Sequence, residues 1–253
     1  MRCPFTLQSN DLKVHDTASL NLIGRRRPLA DELGVVLLVP VFPRPRLGNS
    51  NLYTHALSRA ALQTTKGSLA RVDLQLIQMI DDFREMCQRG GISVAPKVLL
   101  NGFSASGNFV NRFTAIHPGR VQAAASGGLT VAIMPTDTLD GERLIFPIGI
   151  ADLQEITGVP FNLGQYRAVP QFIYRGSVDD NDDLPYGDSF GDEERRIITK
   201  VLGLNILGRL QTSQNVYRQQ GCSAVTFHTY PGVGYSYSPE IIRDILAFFR
   251  SNM

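Results

Sequence analysis

Residues 102–107 read Gly-Phe-Ser-Ala-Ser-Gly, at the end of the apolar run Lys97-Val98-Leu99-Leu100 and ahead of Asn108-Phe109-Val110-Asn111-Arg112-Phe113, a stretch of helical character. A tight turn of small residues between a strand and a helix displays its central side chain, here Ser104, at the tip. Such a turn leaves room only for small residues two positions to either side. Gly102 and Ser106 meet that demand around Ser104, whereas the rival centre Ser106 is flanked by Ser104 and Asn108 and fits less well. A serine hydroxyl is a poor nucleophile at neutral pH and needs a neighbouring base to take its proton. The blander reading is that Gly102, Ser104 and Ser106 only let a helix pack closely on a sheet.

Outward from this turn, helical and strand-like patterns alternate along most of the chain, which predicts an α/β fold with a mostly parallel sheet covered by helices on both faces. Residues 16–33 read as a helix, and Val35–Phe42 as a strand apolar enough to be buried on both sides, closed by Pro43 and Pro45. Leu69, Val72, Leu76, Met79, Ile80, Phe83 and Met86 recur at helical spacing as a core stripe, and Gly90-Gly91 ends it. Residues 97–101 form the strand before the turn, a helix runs from the turn to about His117, and Val121–Ala125 is the next strand. Residues 127–167 are irregular and read as a cap-like insertion over the sheet, within one domain spanning 1–253. Gln171–Arg175 resumes the sheet, a helical region covers 192–218, and Ala224–His228 is the last strand. In the final helix Ser238 is the cap, Pro239 the first position and Glu240 the dipole partner, with Ile241, Ile242, Ile245, Leu246 and Phe249 as the buried face.

Bulk properties exclude several classes. The 253 residues carry a net charge of +2 with no long run of one sign, so neither nucleic acid nor an anionic membrane is expected as a partner. Arg25-Arg26-Arg27, the densest basic cluster, reads as a solvated helix face. Cys3, Cys87 and Cys222 are isolated and lack CxxC spacing, which suggests neither a disulfide framework nor a zinc site and fits a reducing compartment. No apolar stretch reaches the ~18 residues of a membrane span, and the start lacks a signal-peptide core. The expectation is a cytoplasmic protein. The glycines of 102–107 match neither the phosphate-loop nor the dinucleotide spacing, and no cofactor or metal is implied.

The order strand, Gly-Phe-Ser-Ala-Ser, helix, later strand with acid, last strand with Gly-rich loop resembles the α/β-hydrolase superfamily, in its esterase- and lipase-like branch. The resemblance implies Ser104 as nucleophile and the Ala105 amide as part of an oxyanion hole. It implies Asp179 as the acid, from Gly176-Ser177-Val178-Asp179, with Asp182 as rival and Asp180 and Asp183 in the same acidic loop. That loop also reads as a solvated turn. Two parts depart from the family. Tyr235, in Tyr230-Pro231-Gly232-Val233-Gly234-Tyr235, stands where the base histidine belongs, and a phenol with an ordinary pKa of about 10 is no general base at neutral pH. Few residues precede the first helix, so the sheet is expected to lack its first strands through a shortened N-terminus. Residues 3–8 then offer one strand, and Ser9-Asn10-Asp11-Leu12 a substitute loop.

The histidines give no evident replacement. His228 lies on the last strand and His55 follows the loop after Val35–Phe42; both are base candidates, His228 ahead. His117 reads as an exposed cation at a helix end, and nothing positions His15. Tyr235, His55 and Phe103 are pocket candidates. The resemblance implies a serine hydrolase of carboxylic esters, weakened by its missing parts, since loss of a triad member leaves about 10³–10⁴-fold catalysis over water. The alternative is a non-catalytic ligand-binding protein or degenerate hydrolase. Either way the ligand is a small ester or apolar molecule, and an unpaired sheet edge suggests a homodimer.

Overall fold

In the computed structural model, which describes residues 3–7, 15–42, 52–186 and 189–253, five parallel strands form the sheet. They run in the order β1 (Cys3–Leu7), β2 (Val98–Phe103), β3 (Val121–Gly127), β6 (Gln171–Gly176) and β7 (Val225–Tyr230). A small antiparallel pair, β4 (Thr138–Leu139) and β5 (Glu142–Arg143), lies between β3 and β6 in the chain. The helices are α1 (His15–Leu33), α2 (Arg59–Gln63), α3 (Val72–Arg89), α4 (Ala105–Ile116), α5 (Leu153–Thr157), α6 (Leu163–Arg167), α7 (Asp192–Ile197), α8 (Ile206–Gln219) and α9 (Pro239–Ser251).

Side chains of a strand alternate between faces, and here each face builds its own core. Val98, Leu100, Val121, Ala124 and Ile173 join Val72, Leu76, Ile80, Phe109 and Phe113 of α3 and α4 on one side. Leu99, Ala123, Ala125, Phe172 and Tyr174 join Leu29 and Leu33 of α1 and Ile241, Ile245 and Phe249 of α9 on the other. Covering both faces explains why β2 is buried along nearly its whole length. Ser238 caps α9, accepting the Ile241 amide at 3.3 Å.

Residues between β3 and β6 build a third cluster with residues that follow β6. Val131, Met134, Leu144, Ile145 and Ile148 pack with Phe190, Ile197, Ile198 and Val216. Cys87 and Cys222 are buried and unbridged. No helix among the described residues is long and apolar enough to cross a membrane.

Several sequence expectations are corrected. Val35–Phe42 is no strand; Leu38 alone makes a bridge, and Val36–Val39 are only half-buried. Pro40 within the run has no amide to give a ladder. The slot beside β2 belongs to β1, whose Phe5 pairs with Leu100. Residues 9–12 and Pro43 and Pro45 lie outside the described residues. The helical region 192–218 breaks after a π turn at Ile198–Leu202, and Asn205 starts α8 afresh by accepting the Gly208 amide at 2.8 Å. Met86 leaves the core stripe and is exposed. Arg26 is buried, not solvated, its guanidinium lying 4.2 Å from the centre of the Tyr237 ring. His117 is no free cation either: its Nε2 sits 2.8 Å from Oδ2 of the buried Asp73.

Candidate active site

Ser104 stands between β2 and α4 with φ 62° and ψ −131°, a left-handed conformation that non-glycine residues avoid. The turn is held from several directions. The Ser104 amide donates to the Gly127 carbonyl at 2.9 Å, and the Ser104 carbonyl accepts the Asn108 amide at 3.0 Å. Ser106 is buried, its hydroxyl donating to the Phe103 carbonyl at 2.8 Å and accepting the Phe103 amide at 3.1 Å. The second small residue of the motif thus clamps the turn, and its hydroxyl is committed there. A side chain at Gly102 would begin 2.2 Å from the Ser106 carbonyl oxygen, which is why only glycine fits. Ala105 opens α4, where first-turn amides have no acceptor within the helix and carry its positive end.

The loops after β6 and β7 bring the remaining groups. They are tied back to back: Ser177 and Val178 amides donate to the Tyr230 and Val233 carbonyls at 2.8 and 3.1 Å, and the Gly232 amide donates to Ser177 Oγ at 2.8 Å. Gly176 allows this, since a Cβ there would lie 2.0 Å from the Val233 oxygen. Beyond this junction the Tyr235 ring packs on Phe103, at 5.0 Å between centroids, and its phenol comes beside Ser104. Burial lifts the phenol above its ordinary value, the neighbouring Ser104 hydroxyl opposes this, and Asp183 and Asp179 add to the rise. Tyr235 is therefore neutral at physiological pH.

The acidic loop divides its labour. Asp182 is spent on Arg209, which it meets at 3.0 and 2.9 Å through both oxygens. Asp179 Oδ1 lies 3.0 Å from Arg175 Nη2 and accepts the Asn181 amide at 3.0 Å, while its buried Oδ2 has no hydrogen-bond partner. Burial raises the Asp179 pKa against the pull of Arg175. Asp183 accepts from Asn108 Nδ2 at 2.9 Å, one helical turn beyond Ser104, and its amide donates to Thr130 Oγ1 at 3.0 Å. Burial raises its pKa too, with Arg112 and Asn108 opposing. Sequence reasoning named Asp183 only as a loop neighbour and did not link Asn108 to the acids. The spacing of Asn108 four residues after Ser104, on the same helix face, is the signal that was available.

His228 does not reach Ser104. Phe103, Gly127, Tyr174 and His228 are successive register partners across four strands, so three strand spacings, about 14 Å, separate His228 from Phe103. His228 is exposed on the edge strand β7, beside Tyr230 with ring centroids 4.3 Å apart. His55 is buried in the short turn Thr54–Ala56, which packs on α4, its ring 6.1 Å from that of Tyr53. Phe103 precedes Ser104 and lies among aromatic rings: its centroid is 5.0 Å from Tyr235, 6.0 Å from Tyr237 and 6.4 Å from Tyr174. Among the described residues no group of His, Cys, Asp and Glu is arranged to hold a metal ion.

No family model matches the chain, and no curated protein sequence matches it. Solved structures do. Poly(aspartic acid) hydrolase-1 from Sphingomonas sp. KT-1 is similar at TM-score 0.62 and 17% identity, over 99% of this chain and 85% of that one. The poly(3-hydroxybutyrate) depolymerase LpqC from Bordetella parapertussis is similar at 0.59 and 18%, over 98% and 76%. An S-formylglutathione hydrolase from Agrobacterium tumefaciens is similar at 0.51 and 12%, over 99% and 83%. At these identities the likeness concerns the fold: the chain has an α/β-hydrolase fold.

Proposed function

We propose that this protein is a serine hydrolase of carboxylic esters, acting through Ser104 with slow turnover. The observation that carries the reading is the backbone of Ser104, held at φ 62° on the strand-to-helix junction. Conformations of this kind cost about 1–3 kcal/mol and persist where the surroundings enforce them. Similarity of fold to proteins named as hydrolases and a depolymerase supports it.

In this reading Ser104 Oγ attacks the ester carbonyl as its proton passes to water, the developing oxyanion accepts a hydrogen bond from the Ala105 N–H at the positive end of α4, and collapse of the tetrahedral intermediate breaks the bond to the leaving oxygen; water then hydrolyses the acyl-serine. Tyr235 stands beside Oγ as a neutral phenol of raised pKa and does not take the proton. Acylation is then confined to esters with leaving groups that depart unprotonated. Amides, whose nitrogen must be protonated to leave, are out of reach.

A second reading, a ligand-binding protein without turnover, is favoured by Tyr235 itself, which fills the position beside Ser104 with a group that is no base. Hydrolysis of an activated aryl ester by the protein and by its Ser104→Ala variant separates the two: the esterase reading expects the variant to lose at least about 10²-fold in rate, and equal rates would remove Ser104 from the chemistry.

A further inference from the structure

Tyr235 stands beside Ser104, yet 46% of the residue remains exposed. Its ring rests on Phe103, tilted 41° at 5.0 Å between centroids. Phe103 is in turn held by Tyr237, edge-on at 6.0 Å, and by the fully buried Tyr174, stacked at 6.4 Å. Tyr237 is fixed by Asn101, whose Nδ2 donates to its hydroxyl at 2.7 Å, and by Arg26 over its ring. The rings thus form a stiff stack whose outermost member, Tyr235, reaches Ser104 with one end and has ring surface open to solvent. A histidine at this place would offer a smaller and more polar surface. Val178, also exposed, belongs to the loop bonded to Val233 beside it.

The charges near this surface have a sign. Asp183 and Asp179 act on the Tyr235 phenol as negative neighbours, against the positive Arg175. Arg175 is 1% exposed and holds the Leu129 and Asn181 carbonyls at 2.8 and 2.7 Å as well as Asp179, and its unpaired Nε is buried, so it presents no donor to an anion in solvent. Arg209 is likewise committed to Asp182.

We infer that the replacement at position 235 makes a specificity element: the exposed Tyr235 ring is a stacking shelf for uncharged, ring-bearing esters, and the site disfavours esters that carry a carboxylate. A flat group bound on the shelf gains apolar contact and offset stacking, and its ester carbonyl lies beside the hydroxyl of Ser104. The inference rests on the esterase reading for its consequence in catalysis, but binding alone tests it.

The test is titration of the Ser104→Ala protein, which holds an ester without turnover, with methyl phenylacetate, methyl propanoate and monomethyl succinate, followed by NMR. The expected result is that methyl phenylacetate binds at least about tenfold more tightly than methyl propanoate, that monomethyl succinate binds weakest, and that the ring preference survives in Ser104→Ala/Tyr235→Phe but vanishes in Ser104→Ala/Tyr235→Ala. Equal affinities for the ring and aliphatic esters, tighter binding of the succinate, or a ring preference that survives Tyr235→Ala would overturn the inference. Tyr235→Phe retains the ring and guards against a general loss of structure. A ring preference in a protein whose Ser104 is chemically inert would sink the esterase reading and leave the shelf; a reactive Ser104 without ring preference would do the reverse.

Discussion

The Tyr235 ring packs on Phe103, 5.0 Å between centroids, and this brings its phenol beside Ser104 at the junction of β2 and α4. The pairing joins a serine in a strained, displayed conformation to a partner that cannot act as its base, and this conflict defines what the site can do.

Replacing that partner is the first prediction. Tyr235→His introduces a group that titrates near neutrality, next to a serine already in the required conformation and close to Asp179 and Asp183. General-base catalysis contributes about 10²–10⁴-fold, so ester hydrolysis is expected to rise by that order. Steady-state rates on an aryl acetate measure it, and a rise that is absent in Tyr235→His/Ser104→Ala assigns it to the serine.

Asp179 and Arg175 supply a stability prediction. Both side chains are 1% exposed and meet at 3.0 Å, and removing one member of such a pair strands the other charge, at about 3–5 kcal/mol. Arg175→Ala should lower the urea midpoint accordingly. Asp182→Asn leaves Arg209 an amide oxygen as well as its bonds to the Gly203 and Leu204 carbonyls, and should cost less.

Gly102→Ala probes the turn. The added methyl would begin 2.2 Å from the Ser106 oxygen, and backbone must move to admit it. Overpacking of this type costs about 1–3 kcal/mol, occasionally more. The variant should unfold earlier and also lose reactivity at Ser104, because the displaced helix start carries the Ala105 amide.

A pH prediction follows from Asp73. Burial raises its pKa, but hydrogen bonds from His117 and Arg71 outweigh burial and hold it at about 2. The unfolded carboxyl titrates near 3.9. The folded value is the lower one, so the stabilisation is fully present above about pH 4 and is lost as pH falls through about 2. Its size is about 2–3 kcal/mol. Denaturation midpoints of the protein and of Asp73→Asn should differ clearly at pH 6 and converge near pH 2.

Much of this was readable from residue order. The strands of the sheet around the GFSASG turn were legible because runs such as Val98–Leu100 and Phe172–Tyr174 are continuous and bounded by turn residues. Val35–Phe42 misled because its apolar run looks the same whether or not it is paired, and Pro40 carried the contrary signal. The strand-to-helix turn at Ser104 and the loop after the last strand that carries Tyr235 were legible from local spacing. Asp183 was not separable from Asp179 and Asp182, since the distinction lies in long-range partners: Arg209 takes one, Arg175 another, and Asn108 the third. The same holds for Arg26 and His117, whose partners Tyr237 and Asp73 stand far away in sequence.

The most direct measurement is labelling of the folded protein with a fluorophosphonate and location of the adduct by peptide mass spectrometry. The account predicts a single adduct on Ser104, formed slowly and faster in Tyr235→His. A folded protein that gains no adduct on Ser104 even at long exposure would contradict it.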